Sequence, residues 1–107
     1  MKRYLGNAFS LQMLDLSSTQ NVEVRPVTVE FATDFAKSAE SCVGHPDTAA
    51  VISSQLGVDV PCQRVNVSLR EKGDQLLVGQ LTGGRLPEGA KSLPEGFAIQ
   101  YALVTVQ

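Results

Sequence analysis

The only histidine in this 107-residue sequence, His45, lies in the segment Gly44-His45-Pro46-Asp47-Thr48. An apolar run, Ser41-Cys42-Val43, comes before this segment, and a helical pattern follows it. Histidine changes its charge near neutral pH, so it is suited to giving or taking a proton. The free N–H groups and positive dipole end of a helix N-terminus also favour a bound phosphate. These features predict that His45 either caps the helix or acts as a general acid or base beside an anion site.

The second candidate is the glycine-rich segment Gly83-Gly84-Arg85-Leu86-Pro87-Glu88-Gly89. It belongs to a long predicted loop, residues 82–96, and long loops in small proteins often carry function. One interpretation is a flexible turn with a solvated Arg–Glu pair. The other is a lid, in which Arg85 binds a phosphate bidentately and Glu88 orients or deprotonates a hydroxyl.

Several further polar residues have both a structural and a functional interpretation. Asn7 and Ser10 form a Gly-Asn-x-x-Ser turn, which predicts local capping or, alternatively, hydrogen bonds to a nucleotide. Arg64 begins a predicted strand, where it is either a surface charge or a second phosphate contact. Asp47 is expected to act against anion binding, because a carboxylate in the first helical turn competes with a bound phosphate.

These residue types suit one reaction that needs no metal and no protein nucleophile. No acidic cluster has the spacing of a metal site, so neither a metal nor a cofactor is predicted. Cys42 and Cys62 are predicted to be reduced thiols, since they form no CxxC pair and neither is matched to a histidine by spacing. In RNA, the ribose 2′-hydroxyl can attack its own phosphate and leave a 2′,3′-cyclic phosphate. One His, one Arg and one Glu would supply the proton donor, the cation and the in-line geometry.

The bulk composition limits the partners. The net charge of -2 argues against a protein that coats long DNA or RNA, although a few arginines can still hold a small anion. No apolar run reaches the ~18 residues of a transmembrane helix, so no membrane partner is predicted. The start of the chain turns polar too early for a signal peptide, and with reduced thiols this predicts a cytoplasmic protein. A single histidine per chain also favours a two-fold homodimer around a symmetric ligand.

The elements that must position these residues predict a single domain, residues 1–107, of the α+β class. The pattern indicates a mixed sheet of about five strands flanked by two or three helices. Strands are expected at residues 4–5, 22–25, 40–43, 64–69, 75–82 and 97–106. Helices are expected after Ser10, from Thr28 to about Lys37, and from Pro46 to a C-terminal cap at Gly57. A hairpin turn at 72–74 is expected to join two strands, with the strand at 75–82 in the centre of the sheet.

In order along the chain, the motifs resemble those of the small viral anti-CRISPR ring nucleases that act against type III CRISPR systems, together with their bacterial and mobile-element relatives. The matching segments are Tyr4-Leu5-Gly6-Asn7-Ala8-Phe9-Ser10 with Met13-Leu14, Gly44-His45-x-Asp47-Thr48, Gln63-Arg64-Val65 and Gln80-x-x-x-x-Arg85-Leu86-x-Glu88-Gly89. The resemblance implies a homodimer, in the host cytoplasm if viral, that binds cyclic tetra-adenylate. It further implies metal-free cleavage to linear di-adenylate with a 2′,3′-cyclic phosphate, which switches off type III CRISPR signalling.

By position, the resemblance implies that His45 is the general acid and that Arg85 and Glu88 are the Arg-x-x-Glu pair of a closing loop. It also implies ligand contacts at Asn7, Ser10, Gly44, Arg64 and Gln80. The loop departs from the viral enzymes, which have fewer glycines before the arginine and a second acid where this chain has Pro87. Two alternatives stay open: a module that sequesters a cyclic nucleotide or another small anion without turnover, and a structural or regulatory dimer with no nucleotide role.

Overall fold

The computed structural model, which describes residues 1–107, contains one mixed sheet made of β1 (Arg3–Gly6), β2 (Val22–Pro26), β3 (Glu40–Ser41), β4 (Gln75–Thr82) and β5 (Ala98–Val106). The spatial order is β2-β5-β4-β1-β3. β5 is antiparallel to β2 and β4, whereas β1 is parallel to β4 and β3. The predicted central position of β4 is confirmed, and Pro26 lies on an edge strand, where its missing N–H costs no ladder bond.

The sheet separates two apolar clusters, because successive side chains of a strand point to opposite faces. On one face, Leu77, Tyr101 and Leu103 pack against buried residues of both helices. On the other face, Leu76 and Val104 are buried without an α-helix above them, and Phe9 and Met13 pack against that cluster. The remaining buried members of that second cluster are Leu14, Val67, Leu69, Val78 and Val106. A strand buried on both faces explains the continuous apolar run of β4.

Three helical segments complete the domain: a 3₁₀ helix (Leu11–Met13), α1 (Val29–Ala36) and α2 (Pro46–Leu56). Ser10 and Thr28 cap the first two by accepting a backbone N–H, as predicted. α2 begins at the predicted proline and ends at Gly57, whose φ of 66° closes the helix. The α+β class and the mixed five-stranded sheet are therefore confirmed. Neither α-helix is long and apolar enough to cross a membrane.

The predicted strand over residues 64–69 is wrong, because this segment is irregular and joins no ladder. Val67 and Leu69 do point inward, but Val65 is 44% exposed. At the two ends of this segment, backbone N–H groups donate to single carbonyls rather than to a neighbouring strand. Gln63 N–H donates to Val43 O at 2.8 Å, and Leu69 N–H donates to Met13 O at 2.7 Å. The alternation therefore reflected an irregular segment packed over the sheet. The strand predicted at 40–43 is likewise shorter, since only Glu40–Ser41 pairs.

The turn at 72–74 is consequently not a hairpin turn, and a buried carboxylate holds it instead. Asp74 accepts backbone N–H groups from Lys2 at 2.8 Å, Arg70 at 3.2 Å and Glu71 at 3.1 Å. Burial acts to raise the pKa of Asp74, but these three bonds outweigh it and lower the pKa overall. The carboxylate therefore fastens the end of the irregular segment to the start of β1.

Candidate functional site

The helix α2 begins at His45, whose ring is part of the helix cap. Its Nδ1 accepts a hydrogen bond from the Thr48 N–H at 3.3 Å, and its backbone is extended with φ -125° and ψ 123°. Because Nδ1 accepts, we assign the proton of the neutral ring to Nε2. The residue is exposed, so Nε2–H is free to meet a ligand. The capping interpretation is thus confirmed, and it leaves one ring nitrogen for chemistry.

His45 shares an open cavity of about 710 Å³ with Arg85 and Glu88. The other residues that line it are Asp47, Thr48, Leu81, Gly84 and Leu86. His45, Asp47 and Thr48 lie at the start of α2. The other lining residues lie at the end of β4 and in the loop that joins β4 to β5. The fold therefore brings the three predicted catalytic residues to one place, and their roles stay predictions.

The loop between β4 and β5, residues 83–97, is fastened to the domain rather than free. Leu86 is only 9% exposed and packs in the core beneath the cavity. At the neck of the loop, the Thr82 hydroxyl donates to Ala98 O at 3.1 Å. Gly83 has a φ of 107°, and a Cβ there would lie 2.7 Å from Gly96 O, so only glycine fits. The loop is therefore packed against the domain at Leu86 and at its neck, and whether it moves as a lid stays a prediction.

Arg85 and Glu88 lie on either side of the buried Leu86 and are both exposed. They form no ion pair with each other, since the ion pairs of the structure are Lys37–Asp34 and Arg70–Asp15. Their charges are not neutralised by one another. The guanidinium is thus available for an anion and the carboxylate for a hydroxyl.

Asp47 has a role that the sequence did not indicate. Its Oδ2 accepts a hydrogen bond from the Gly89 N–H at 3.1 Å, which links the first turn of α2 to the loop. The two residues are 42 positions apart, and no spacing rule pairs residues at that separation. The carboxylate was expected only to compete with an anion, whereas the structure shows it bound to the loop backbone.

A second cleft, of about 350 Å³, is lined by Asn7, Gly44 and Arg64 among others. Arg64 Nε donates to Gly44 O at 2.8 Å, and the side chain passes close over Gly44, where a Cβ would lie 3.3 Å from Arg64 Cγ. Gly44 precedes His45 in the chain, so this contact holds a second guanidinium near the start of α2. The cleft and the cavity are therefore lined by residues that are neighbours in the chain, Gly44 and His45.

The two remaining predicted binding residues lie farther out. Ser10 lines a third hollow, of about 340 Å³, which shares Val65 and Asn66 with the second cleft. The Ser10 hydroxyl accepts from the Gln12 N–H at 3.2 Å, which confirms its predicted capping. Gln80 lies on β4 opposite Gln100 of β5 and lines none of these cavities. Seven of the eight predicted site residues therefore line one of these three hollows, and Gln80 lines none of them.

The cysteines do not add a nucleophile to the site. Both are free thiols. Cys42 lines the second cleft, where burial, and secondarily the charge of Glu40, raises its pKa to about 11. The thiol is therefore neutral and weakly nucleophilic near neutral pH. No group of three or more His, Cys, Asp or Glu side chains is arranged to hold a metal ion.

The matches to known proteins extend over nearly the whole chain. A family model described as STIV B116-like matches residues 3–101, which includes both helices and the whole loop after β4. Among solved structures, the chain is similar to B116 of Sulfolobus turreted icosahedral virus (STIV), with a TM-score of 0.78 and 23% identity over 98% of this chain and 99% of that one. No curated protein matches the chain. At this identity the structural likeness shows a common fold.

Proposed function

The chain belongs to the STIV B116-like family, and we propose that it is a metal-independent ring nuclease for cyclic tetra-adenylate. The product is linear di-adenylate with a terminal 2′,3′-cyclic phosphate, and loss of the cyclic messenger switches off type III CRISPR signalling. The observation that carries the proposal is the shared cavity of His45, Arg85 and Glu88 at the N-terminus of α2. The resemblance in sequence motifs supplies the identity of the ligand.

Each group in the cavity has a place in an in-line displacement. The ribose 2′-oxygen forms a bond to the adjacent phosphorus as its proton is lost, and the bond from phosphorus to the 5′-oxygen breaks. Glu88 orients the 2′-hydroxyl or accepts its proton, and Arg85 stabilises the charge on the phosphate oxygens. The Nε2–H of His45 faces the leaving 5′-oxygen. The positive dipole end of α2 and the Asp47 N–H, the free donor of its first turn, stabilise the same phosphate.

The cap of α2 defines how His45 works. With Nδ1 bound to the Thr48 N–H, the neutral ring stabilises the leaving oxygen through a hydrogen bond from Nε2. A ring that also carries a proton on Nδ1 gives up the bond to Thr48 and becomes a full general acid. Proton uptake at Nδ1, which has to precede donation from Nε2, therefore breaks one cap bond, which contributes about 1 kcal/mol to stability.

A cyclic tetranucleotide has two-fold symmetry, whereas one chain supplies one histidine, so the proposal includes a homodimer. Two exposed apolar residues support it: Leu11 is 63% exposed and Val65 is 44% exposed. Val65 lines two of the hollows, and Leu11 follows Ser10, which lines one of them. An apolar surface beside the clefts fits a second copy of the chain, whose arginine would face the other half of the ring.

A second function, binding without turnover, is favoured by one specific observation. The loop is already fastened by Leu86 and by the bond from Gly89 to Asp47, and the ring of His45 is engaged in a cap. A fixed cavity of this kind can hold a cyclic nucleotide without completing the reaction. In that case the protein sequesters the messenger.

The test incubates the protein with cyclic tetra-adenylate in EDTA and identifies the products by chromatography and mass spectrometry, with linear tetra-adenylate as the matched control ligand. We expect linear di-adenylate with a 2′,3′-cyclic phosphate from the cyclic ligand. Stoichiometric binding with intact ligand recovered would assign the sequestering function instead. If the cyclic ligand gives no thermal stabilisation, both functions are wrong, because a ligand of the folded state must raise its stability.

A further inference from the structure

We propose that Asp47 is a positioning residue that holds residues 85–88, the 85–88 segment, over the start of α2. The inference rests on the proposed function for its catalytic consequence. It starts from the hydrogen bond that the Gly89 N–H donates to Asp47 Oδ2 at 3.1 Å, the one side-chain bond between α2 and the loop.

Two anchors of different chemistry bracket Glu88. On one side, the Leu86 side chain is 9% exposed and packs in the apolar core. On the other side, the Gly89 N–H is bound to Asp47. The Ala90 N–H donates to Pro87 O at 3.1 Å and closes the turn between them. These anchors restrict the backbone on both sides of Glu88, and we infer that they keep its carboxylate in the cavity that it lines.

The backbone at Gly89 suits this contact. Its φ of 77° lies in the left-handed region, and nothing lies within 4 Å of a Cβ placed there. Glycine therefore allows the turn to direct its N–H at α2 without strain. A side chain at this position would be disfavoured by the backbone conformation and not by steric contacts. The donor is then directed at the helix that also carries the proposed proton donor.

The acceptor lies on the same rigid element as His45. Asp47 lies two residues after His45, in the first turn of α2, and the cap bond to Thr48 N–H fixes the geometry of that turn. One helical turn therefore sets the positions of both the imidazole and the tether. We infer that the relation between His45 and the 85–88 segment depends on Asp47.

Two simpler roles of Asp47 make different predictions. A carboxylate in a first turn stabilises the helix dipole, and Glu30 has the same position in α1 without any loop bound to it. A carboxylate beside a phosphate site also repels the ligand. Both of these roles depend on the negative charge, whereas the tether depends on an oxygen acceptor that asparagine can retain.

The experiment compares Asp47→Asn, Asp47→Ala and the matched control Glu30→Ala. Amide exchange at Gly89 is measured by NMR, with the helix-bonded Gly57 amide as the internal reference. We expect Gly89 to exchange faster in Asp47→Ala only. With cyclic tetra-adenylate we expect kcat to fall about tenfold to a hundredfold in Asp47→Ala, with a smaller change in KM, and to be restored in Asp47→Asn. Glu30→Ala should match the parent in both measurements.

The outcomes separate this inference from the proposed function. If Asn and Ala variants change together, or both bind the ligand more tightly, the charge matters and the tether is wrong. If Gly89 exchange rises in Asp47→Ala while kcat stays at the parent value, positioning is wrong and the ring-nuclease function stands. If the parent protein does not cleave the ligand, the function fails, and the exchange data alone still decide whether Asp47 holds the loop.

Discussion

The two α-helices of this domain begin in the same way, yet only one start lines the candidate cavity. α1 is capped by Thr28 and has Glu30 at its second position; α2 is capped by His45 and has Asp47 at its second position. Each cap accepts the N–H three residues later, at 3.1 Å in α1 and 3.3 Å in α2. The surroundings differ: the loop of residues 83–97 is bonded to the start of α2 through the Gly89 N–H, whereas Glu30 of α1 shares a hollow with Arg3 of β1.

This comparison shows that a helix N-terminus is not a site by itself. Both starts have a positive dipole end, although Pro46 leaves the start of α2 with fewer free N–H groups than the start of α1. The start of α2 gains Arg85 and Glu88 because Leu86 and Gly89 fasten a distant loop beside it. The start of α1 is therefore an internal control, in which the same substitutions test helix stability without touching the cavity.

The largest expected effect is on the cleavage rate, and it distinguishes the role of His45 as a helix cap from its proposed role in the reaction. His45→Ala and His45→Asn both lack the imidazole Nε2–H, so we expect each to reduce the cleavage rate by ~10²-fold or more. Thr28→Ala, the matched cap substitution in α1, should cleave at the parent rate. Single-turnover rates with cyclic tetra-adenylate measure the difference.

Because asparagine still caps a helix, His45→Asn removes the proposed proton donor with little loss of the cap. An Asn variant that cuts as fast as the parent would show that capping is the whole role of His45. Equal losses in the α1 and α2 cap variants would mean that general destabilisation, and not the cavity, explains the effect.

The second effect compares two arginines, one beside each helix. Arg85 lines the cavity at α2, whereas the guanidinium of Arg25 lies 5.6 Å from the centre of the Phe31 ring of α1. We expect Arg85→Ala to lower kcat/KM about tenfold to a hundredfold, since a hydrogen bond to a charged group contributes about 1.5–3 kcal/mol. Arg85→Lys should restore part of it, because lysine supplies the charge without the bidentate fork.

Arg25→Ala is the control, because it removes one positive charge just as Arg85→Ala does. It should leave kcat/KM unchanged. Parallel losses in Arg25→Ala and Arg85→Ala would indicate a non-specific effect of net charge on an anionic ligand. Repeating both at higher salt distinguishes the cases, since long-range attraction is screened and a direct contact is screened less.

The third effect concerns the neck of the loop, compared with the end of α2. Gly83 and Gly57 both have positive φ, 107° and 66°, but only at Gly83 would a Cβ meet backbone, at 2.7 Å from Gly96 O. We expect Gly83→Ala to lower the free energy of unfolding by about 2–3 kcal/mol and Gly57→Ala by about 1 kcal/mol. Urea unfolding followed by circular dichroism measures both, and equal losses would show that the neck is not sterically closed.

The sequence predicted the parts of this domain that local rules govern. The starts of α1 and α2, with Thr28 as a cap and Pro46 at the first position, follow from capping and proline geometry. β4 and β5 follow from long runs of apolar residues, one continuous and one alternating. These signals lie within a few residues of the elements that they specify. The amino-acid sequence of a single chain is therefore enough to predict those elements.

The rest depended on contacts between distant segments. The alternation at 64–69 met the pattern of a strand, but its neighbouring backbone groups bond to Val43 and Met13, which no sequence spacing reveals. The same holds for the bond from Gly89 to Asp47, which joins residues 42 positions apart. The motifs predicted the cavity residues one by one, whereas the fastening of the loop depends on packing of Leu86 and on a turn geometry known only in three dimensions.

The smallest effect tests whether the two caps are as alike in energy as they are in geometry. Thr28→Ala removes a side-chain acceptor from the Phe31 N–H and should cost about 1 kcal/mol of unfolding free energy. His45→Asn replaces one acceptor with a residue that is strongly preferred at a cap, so the unfolding free energy should change by no more than about 0.5 kcal/mol. Chemical unfolding of both variants, without ligand, measures the pair. If His45→Asn costs as much as Thr28→Ala, the imidazole makes further stabilising contacts in the folded state, and its ring is less free to meet a phosphate than its exposure indicates. If His45→Asn costs little unfolding free energy while cleavage is lost, another residue can replace the cap of α2 but not the imidazole. That result would separate the structural role of His45 at the helix start from its proposed role in the reaction.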